Sequence, residues 1–279
     1  MRPVLFQIGG FPIRSFGTMA VIGFLVSLWW ARRMADKRMQ TELEGSPRRM
    51  DPDTMGDLWV FTLLFGILGS RLLFVLLELP AYIRQPAEVF KIWSGGMSLH
   101  GGLLGGVGYL LFVSRKHKIP LTVLGDIIAP LFAVVYTFGR IGCFLNGCCY
   151  GIACDLPWAA QFHDEKAFNA ITPPSHPTQI YGSLASIVMF VILTRWERYP
   201  RRDGELFWGL CAMYGFYRGL VEFLRAGATS SYLSPNLHIT LTHVISFFMI
   251  LMGLFGLYWL RKNRPISYHP LPNPSAIKT

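Results

Sequence analysis

Charge is scarce in this chain. Asp, Glu, Lys and Arg make up 15% of its 279 residues, against about 25% in soluble domains. Acidic residues are the scarcer kind, 16 against 26 basic ones, for a formal net charge of +10. That excess comes with no basic helix and no aromatic RNA-binding module, which argues against nucleic acid as a partner. No low-complexity segment is evident, nor an internal repeat of the sort on which many carriers are built. The first apolar run, near Phe16–Ala31, has no small-residue cleavage site and ends in Arg32-Arg33. It is expected to be a retained span, not a signal peptide.

What the chain has is apolar length. Hydrophobic residues make up 52% of it, and the mean hydropathy is +0.38. About 20 apolar residues cross a bilayer as a helix. Runs of that kind predict an all-α, multi-pass transmembrane helical bundle forming a single membrane domain over 1–279. Seven spans are expected near 11–31, 56–78, 97–113, 121–143, 179–194, 205–224 and 239–260. Residues 144–178, mostly polar and Pro-containing, are expected as an outer, periplasmic cap. Basic residues cluster in alternate connections: Arg32, Arg33, Lys37, Arg38, Arg48 and Arg49; Arg115, Lys116 and Lys118; Arg195, Arg198, Arg201 and Arg202; Arg261, Lys262, Arg264 and Lys278. With seven spans all of these lie on one side, which the positive-inside rule makes cytoplasmic. The N-terminus is then outside and the C-terminus inside.

Other basic residues fall within the spans. Arg71 lies roughly 24 Å along its helix from the cytoplasmic end, and Arg218 roughly 20 Å. Arg140 falls near the outer end of the fourth span and His100 near the outer start of the third. The expectation is that the four meet in the outer half of the membrane, because a charge at that depth faces the bundle interior or a wet cavity. Snorkelling to the headgroups is the competing explanation for any one arginine.

In YGFYRGLVEFLR (214–225), helical spacing puts Tyr214, Arg218, Glu222 and Arg225 on one stripe about 80° wide. Arg218 and Glu222 are i, i+4 and can pair. Arg225 leaves the stripe net positive, which suits an anion. GRIGCFLNGCCYG (139–151) joins Arg140, a planar fork suited to phosphate, to Asn146 and to glycines, Gly151 among them, that permit close approach. Asp126 is no partner for Arg140, being roughly 21 Å away along the helix, and is expected to be structural. SLHGGLLGG (98–106) sets His100, able to move a proton near neutral pH, ahead of four glycines. HPTQIY (176–181) reads as the turn into the fifth span. Cys143, Cys148, Cys149 and Cys154 do not have a standard zinc spacing. Packing, a disulfide and a metal site all remain open for them, in falling order, and no metal or other cofactor is assigned.

Taken in order, SFGTMAVIGF, GSRLLFV, GGMSLHGGLLGG, DIIAP, GRIGCFLNGCCYG, HPTQIYGSL and YGFYRGLVEFLR resemble the prolipoprotein diacylglyceryl transferase family. The resemblance runs from the first span to the sixth. It implies a seven-helix enzyme of the bacterial cytoplasmic (inner) membrane acting early in lipoprotein maturation. Such an enzyme moves the diacylglyceryl group of phosphatidylglycerol to the lipobox cysteine of a prolipoprotein signal peptide and releases glycerol-1-phosphate. The family's essential arginines fall on Arg140 and Arg218, its histidine on His100, its Tyr/Glu pair on Tyr214 and Glu222, and its closing glycine on Gly151. Arg71, Asn146 and Arg225 are expected to contact substrate. The chain departs from the family pattern at Phe16, Cys143 and Cys148, and LTHVIS stands where a Gln-containing stretch is expected. Two rival functions use the same residues: a membrane thiol–disulfide oxidoreductase acting through the cysteines, and an anionic-lipid carrier acting through the arginines.

Overall fold

The computed structural model describes residues 4–9, 11–42, 44–91, 96–164, 170–199, 201–225, 232–234 and 238–267. A short hairpin, β1 (Val4–Ile8) and β2 (Phe11–Arg14), leads into α1 (Ser15–Thr41). Then come α2 (Pro52–Leu77), α3 (Leu79–Arg84), a 3-10 turn (Pro86–Phe90), α4 (Leu99–His117) and α5 (Leu121–Asn146). A second hairpin, β3 (His163–Asp164) with β4 (Ala170–Ile171), precedes α6 (Thr178–Trp196) and α7 (Glu205–Phe223). The last described elements are β5 (Tyr232–Ser234), β6 (Ile239–Thr240) and α8 (Leu241–Asn263).

Each predicted span has a helix, and the boundaries differ for local reasons. The first helix starts at Ser15, not 11, because Phe11–Arg14 pairs with β1 across a turn at Gly9, φ +55°. It then runs on to Thr41, since Arg32, Arg33, Lys37 and Arg38 end the apolar run without ending the helix. Among the described residues, five helices, α1, α2, α5, α6 and α8, are long and apolar enough to cross a membrane. The other two long helices, α4 and α7, are diluted by glycines, tyrosines and charged residues. The three small hairpins were not anticipated from the hydropathy pattern.

Two compact units are formed, Trp30–Leu124 and Met1–Trp29 with Gly125–Thr279. In the first, α2 and α4 pack through glycine. A Cβ on Gly69 would lie 2.5 Å from the Gly101 carbonyl oxygen and 2.9 Å from Gly105 Cα. Small residues let membrane helices approach this closely, so the glycines after His100 serve the helix contact. Asp51 caps α2, accepting from the N–H groups of Asp53 at 3.1 Å and Thr54 at 2.9 Å, ahead of Pro52 in the first turn.

In the second unit, Ala129, Met189, Leu193, Leu206 and Leu210 form a buried cluster joining α5, α6 and α7. Asp126 caps α7, its two carboxylate oxygens accepting from Gly204 N at 2.9 Å and Phe207 N at 3.0 Å. The structural role expected of Asp126 is the one observed. Helices α7 and α8 meet through Gly215 and Gly253, where a Cβ would lie 2.9 Å from the Ser246 carbonyl oxygen and 2.6 Å from Ala212 N.

Candidate active site

The second unit carries most of the candidate residues. Helix α5 ends in a glycine turn: Gly147 has φ +79°, its N–H donates to the Phe144 carbonyl at 3.2 Å, and the Cys148 N–H donates to the Cys143 carbonyl at 3.1 Å. This bond pair satisfies the last carbonyls of a helix and reverses the chain, folding Cys148 back over Cys143. Cys149 follows in the left-handed region, φ 66°, which costs a non-glycine residue about 1–2 kcal/mol. The start of α6 clamps this turn. Gln179 Nε2 donates to the Cys148 carbonyl and Thr178 Oγ1 to the Cys149 carbonyl, each at 2.7 Å. Gly151 N donates to the His176 carbonyl at 2.9 Å. A side chain there would strike the Leu224 carbonyl and come within 2.8 Å of Thr178 Cγ2, so only glycine fits.

Arg140 lies one turn before Cys143–Asn146 on α5 and is 8% exposed. Its Nε and Nη2 have no hydrogen-bond partner among the described residues. A buried donor left unmatched costs about 1–3 kcal/mol, and more when charged. The space beside it is kept open by Gly182 of α6, where a Cβ would lie 2.6 Å from Tyr217 Oη and 2.8 Å from Arg140 Nε. Tyr217 Oη is 3.5 Å from Tyr136 Oη, and Tyr214 stacks edge-on against Tyr136 with ring centres 5.5 Å apart. Tyr217 also lines an apolar groove of about 470 Å³ along α6 and α7, with Val188, Ile192, Met213, Phe216 and Leu220.

The predicted pairing on α7 is present. Arg218 Nη1 donates to Glu222 Oε2 at 2.5 Å, with the side chains 17% and 0% exposed. The other carboxylate oxygen of Glu222 accepts from Thr240 Oγ1 at 2.9 Å. Thr240 N donates to His243 Nδ1 at 3.1 Å, which leaves the ring proton on Nε2 in the neutral tautomer. Arg225 is half-buried in the turn after α7. Hydrogen bonds with Cys143 and Cys148, followed by the charges of Arg225 and Arg140, hold the Cys149 thiol well below the usual thiol range against the opposing effect of burial. The Cys148 thiol donates to the Cys143 carbonyl at 3.7 Å.

The first unit carries the other two candidates. Arg71, 6% exposed, spends its guanidinium on main-chain carbonyls: Nε donates to Val89 at 3.0 Å, Nη1 to Gly96 at 2.9 Å, and Nη2 to Glu88 at 2.5 Å and Lys91 at 3.3 Å. Its CZ also lies 5.3 Å from the Tyr82 ring centre. All four of these acceptors lie in the segment after its own helix. His100 is exposed in the first turn of α4, just after the Ser98 cap.

The family model of prolipoprotein diacylglyceryl transferases matches residues 3–259. The chain belongs to this family. It is 36% identical over 255 residues to the phosphatidylglycerol–prolipoprotein diacylglyceryl transferase of Geobacter sulfurreducens, covering 90% of this chain and 92% of that one. It is 34% identical to the protein of the same name from Aliivibrio salmonicida, over 93% and 88% of the two chains. The Photobacterium profundum protein of that name is also 34% identical, over 94% of each.

Within this transferase family member, the second unit gathers Arg140, Asn146 and Arg225 around the cysteine turn and pairs Arg218 with Glu222. Reading the sequence missed Tyr217, Gly182, Thr178, Gln179, Thr240 and His243. Only Thr240 and His243 had a local signal, a capping box at the start of α8. The other four act through contacts remote in sequence.

Proposed function

We propose that this chain transfers the diacylglyceryl group of phosphatidylglycerol to the lipobox cysteine of an exported lipoprotein precursor, releasing glycerol-1-phosphate. The observation that carries this reading is Arg140: a buried guanidinium with two unmatched donors, beside a tyrosine that also lines an apolar groove. A phosphate supplies the missing acceptors, and the groove suits acyl chains. In this reading seven helices span the bacterial inner membrane, N-terminus outside and C-terminus cytoplasmic, with 144–178 as the outer cap.

The reaction replaces a C–O bond to phosphate by a C–S bond. A free thiol is only a few per cent ionised at neutral pH, so a proton acceptor is needed, and His100 is assigned that role. Arg140 grips the lipid phosphate. Arg218, held by Glu222 and through it by Thr240, stabilises charge growing on the departing glycerol phosphate. Arg225 adds positive potential, Tyr214 and Asn146 orient the glycerol, and Gly151 keeps the wall thin. Arg71 is held by the main-chain carbonyls of Glu88, Val89, Lys91 and Gly96.

The test is transfer of labelled diacylglycerol from phosphatidylglycerol vesicles to a lipobox peptide by the purified protein, with released glycerol phosphate measured alongside. Binding without release would establish a carrier instead. The three neighbouring thiols favour the oxidoreductase as a second reading. It predicts dithiol oxidation without any transfer, and that outcome would displace the transferase.

A further inference from the structure

Three thiols of this chain have no part in the reaction above. The sulfurs of Cys143, Cys148 and Cys149 all lie within 4.8 Å of one another, and all three cysteines are free. We propose that these cysteines hold one thiophilic divalent cation of the zinc class through three sulfur ligands, with a fourth position open.

The geometry is that of a built site. Sulfurs bound to one tetrahedral zinc at about 2.3 Å stand about 3.8 Å apart, so the cluster needs to close by roughly 1 Å or less. It is assembled by the glycine turn at Gly147 and by a left-handed Cys149, a strained conformation of the kind that accumulates at functional sites. The Gln179 and Thr178 side chains pin the carbonyls of Cys148 and Cys149, so the two loop ligands are fixed from α6 while the third rides on α5. Nonstandard spacing hid the site in the sequence because the fold, and not a short knuckle, brings the ligands together. A disulfide would use two of the sulfurs and strand the third.

Three protein ligands and an open position are the pattern of catalytic zinc. Resting on the transferase reading, the open position takes the precursor's cysteine. A bound metal would hold that sulfur as thiolate, its S–H proton passing to the base or to water. In the transfer the sulfur would form the C–S bond as the C–O bond breaks, with the electron pair leaving on the phosphate oxygen.

The experiment is metal analysis of the full chain purified in detergent, followed by Co²⁺ titration of the stripped protein. One zinc per chain, and one Co²⁺ with a thiolate-to-metal charge-transfer band, are expected. Cys148→Ser and Cys143→Ser should weaken binding at least about tenfold, whereas Cys154→Ser and Cys211→Ser should not. Wild-type protein with no stoichiometric metal and no charge-transfer band overturns the site, as does a mass showing a disulfide within the trio. Stripped protein should lose transfer and regain it with Zn²⁺. Full-rate transfer by the stripped protein overturns the role in thiol activation. Metal bound without any transfer would defeat the transferase reading and leave the site standing, so the two failures are distinguishable.

Discussion

Arg71 and Arg140 are buried to nearly the same degree, 6% and 8% exposed, and are used in opposite ways. Arg71 reaches four carbonyls of the segment that follows its own helix. Arg140 keeps Nε and Nη2 without a hydrogen-bond acceptor among the described residues. Burial alone therefore does not separate the two cations; they differ in whether their donors are already matched, and the unmatched pair on Arg140 is what the transferase proposal uses.

That contrast can be broken experimentally. The largest effect is expected at Arg140: Arg140→Gln should lower transfer by about 10²–10³ without lowering the thermal midpoint in detergent, since it removes an unmatched charge. Reduced activity together with a large loss of stability would put Arg140 in the same class as Arg71. Arg71→Met should do the reverse. Orphaned carbonyls should cost on the order of 3 kcal/mol of stability, seen as a lower midpoint and faster proteolysis near 86–91. Gly182→Ala sharpens the comparison by filling the space beside Arg140 Nε. Displacement of that guanidinium should slow transfer by up to about 10²-fold, with phosphatidylglycerol binding weakened in parallel. The smallest effect is expected from Thr240→Ala, which removes one neutral donor from Glu222. A hydrogen bond of about 0.5–1.5 kcal/mol converts to at most roughly a tenfold loss of rate, and Thr240→Ser should restore it.

Much of the architecture was legible because apolar runs and their flanking charges are local signals. All seven predicted spans have helices, and the i, i+4 spacing of Arg218 and Glu222 was enough to anticipate their bond. The same spacing argument correctly separated Asp126 from Arg140. Arg71 could not be read this way, because its acceptors lie 17 to 25 residues further on in a loop with no pattern of its own. The cysteine cluster was illegible for a related reason. Its closeness depends on Gly147 and Cys149 both adopting left-handed backbone, which residue spacing does not encode. Thr240 was hidden by its distance along the chain, 18 positions from Glu222, at the end of the β5–β6 hairpin.

Thr240 has two duties in this structure, as cap of α8 and as donor to Glu222. Fraying of the first turn of α8 would therefore strip a partner from a carboxylate that is shut away from water, and the guanidinium it steadies would lose its anchor. Local order in one helix is thus a precondition for charge placement in its neighbour. On warming, activity should fade with the unwinding of that single turn, well ahead of the collapse of the whole bundle.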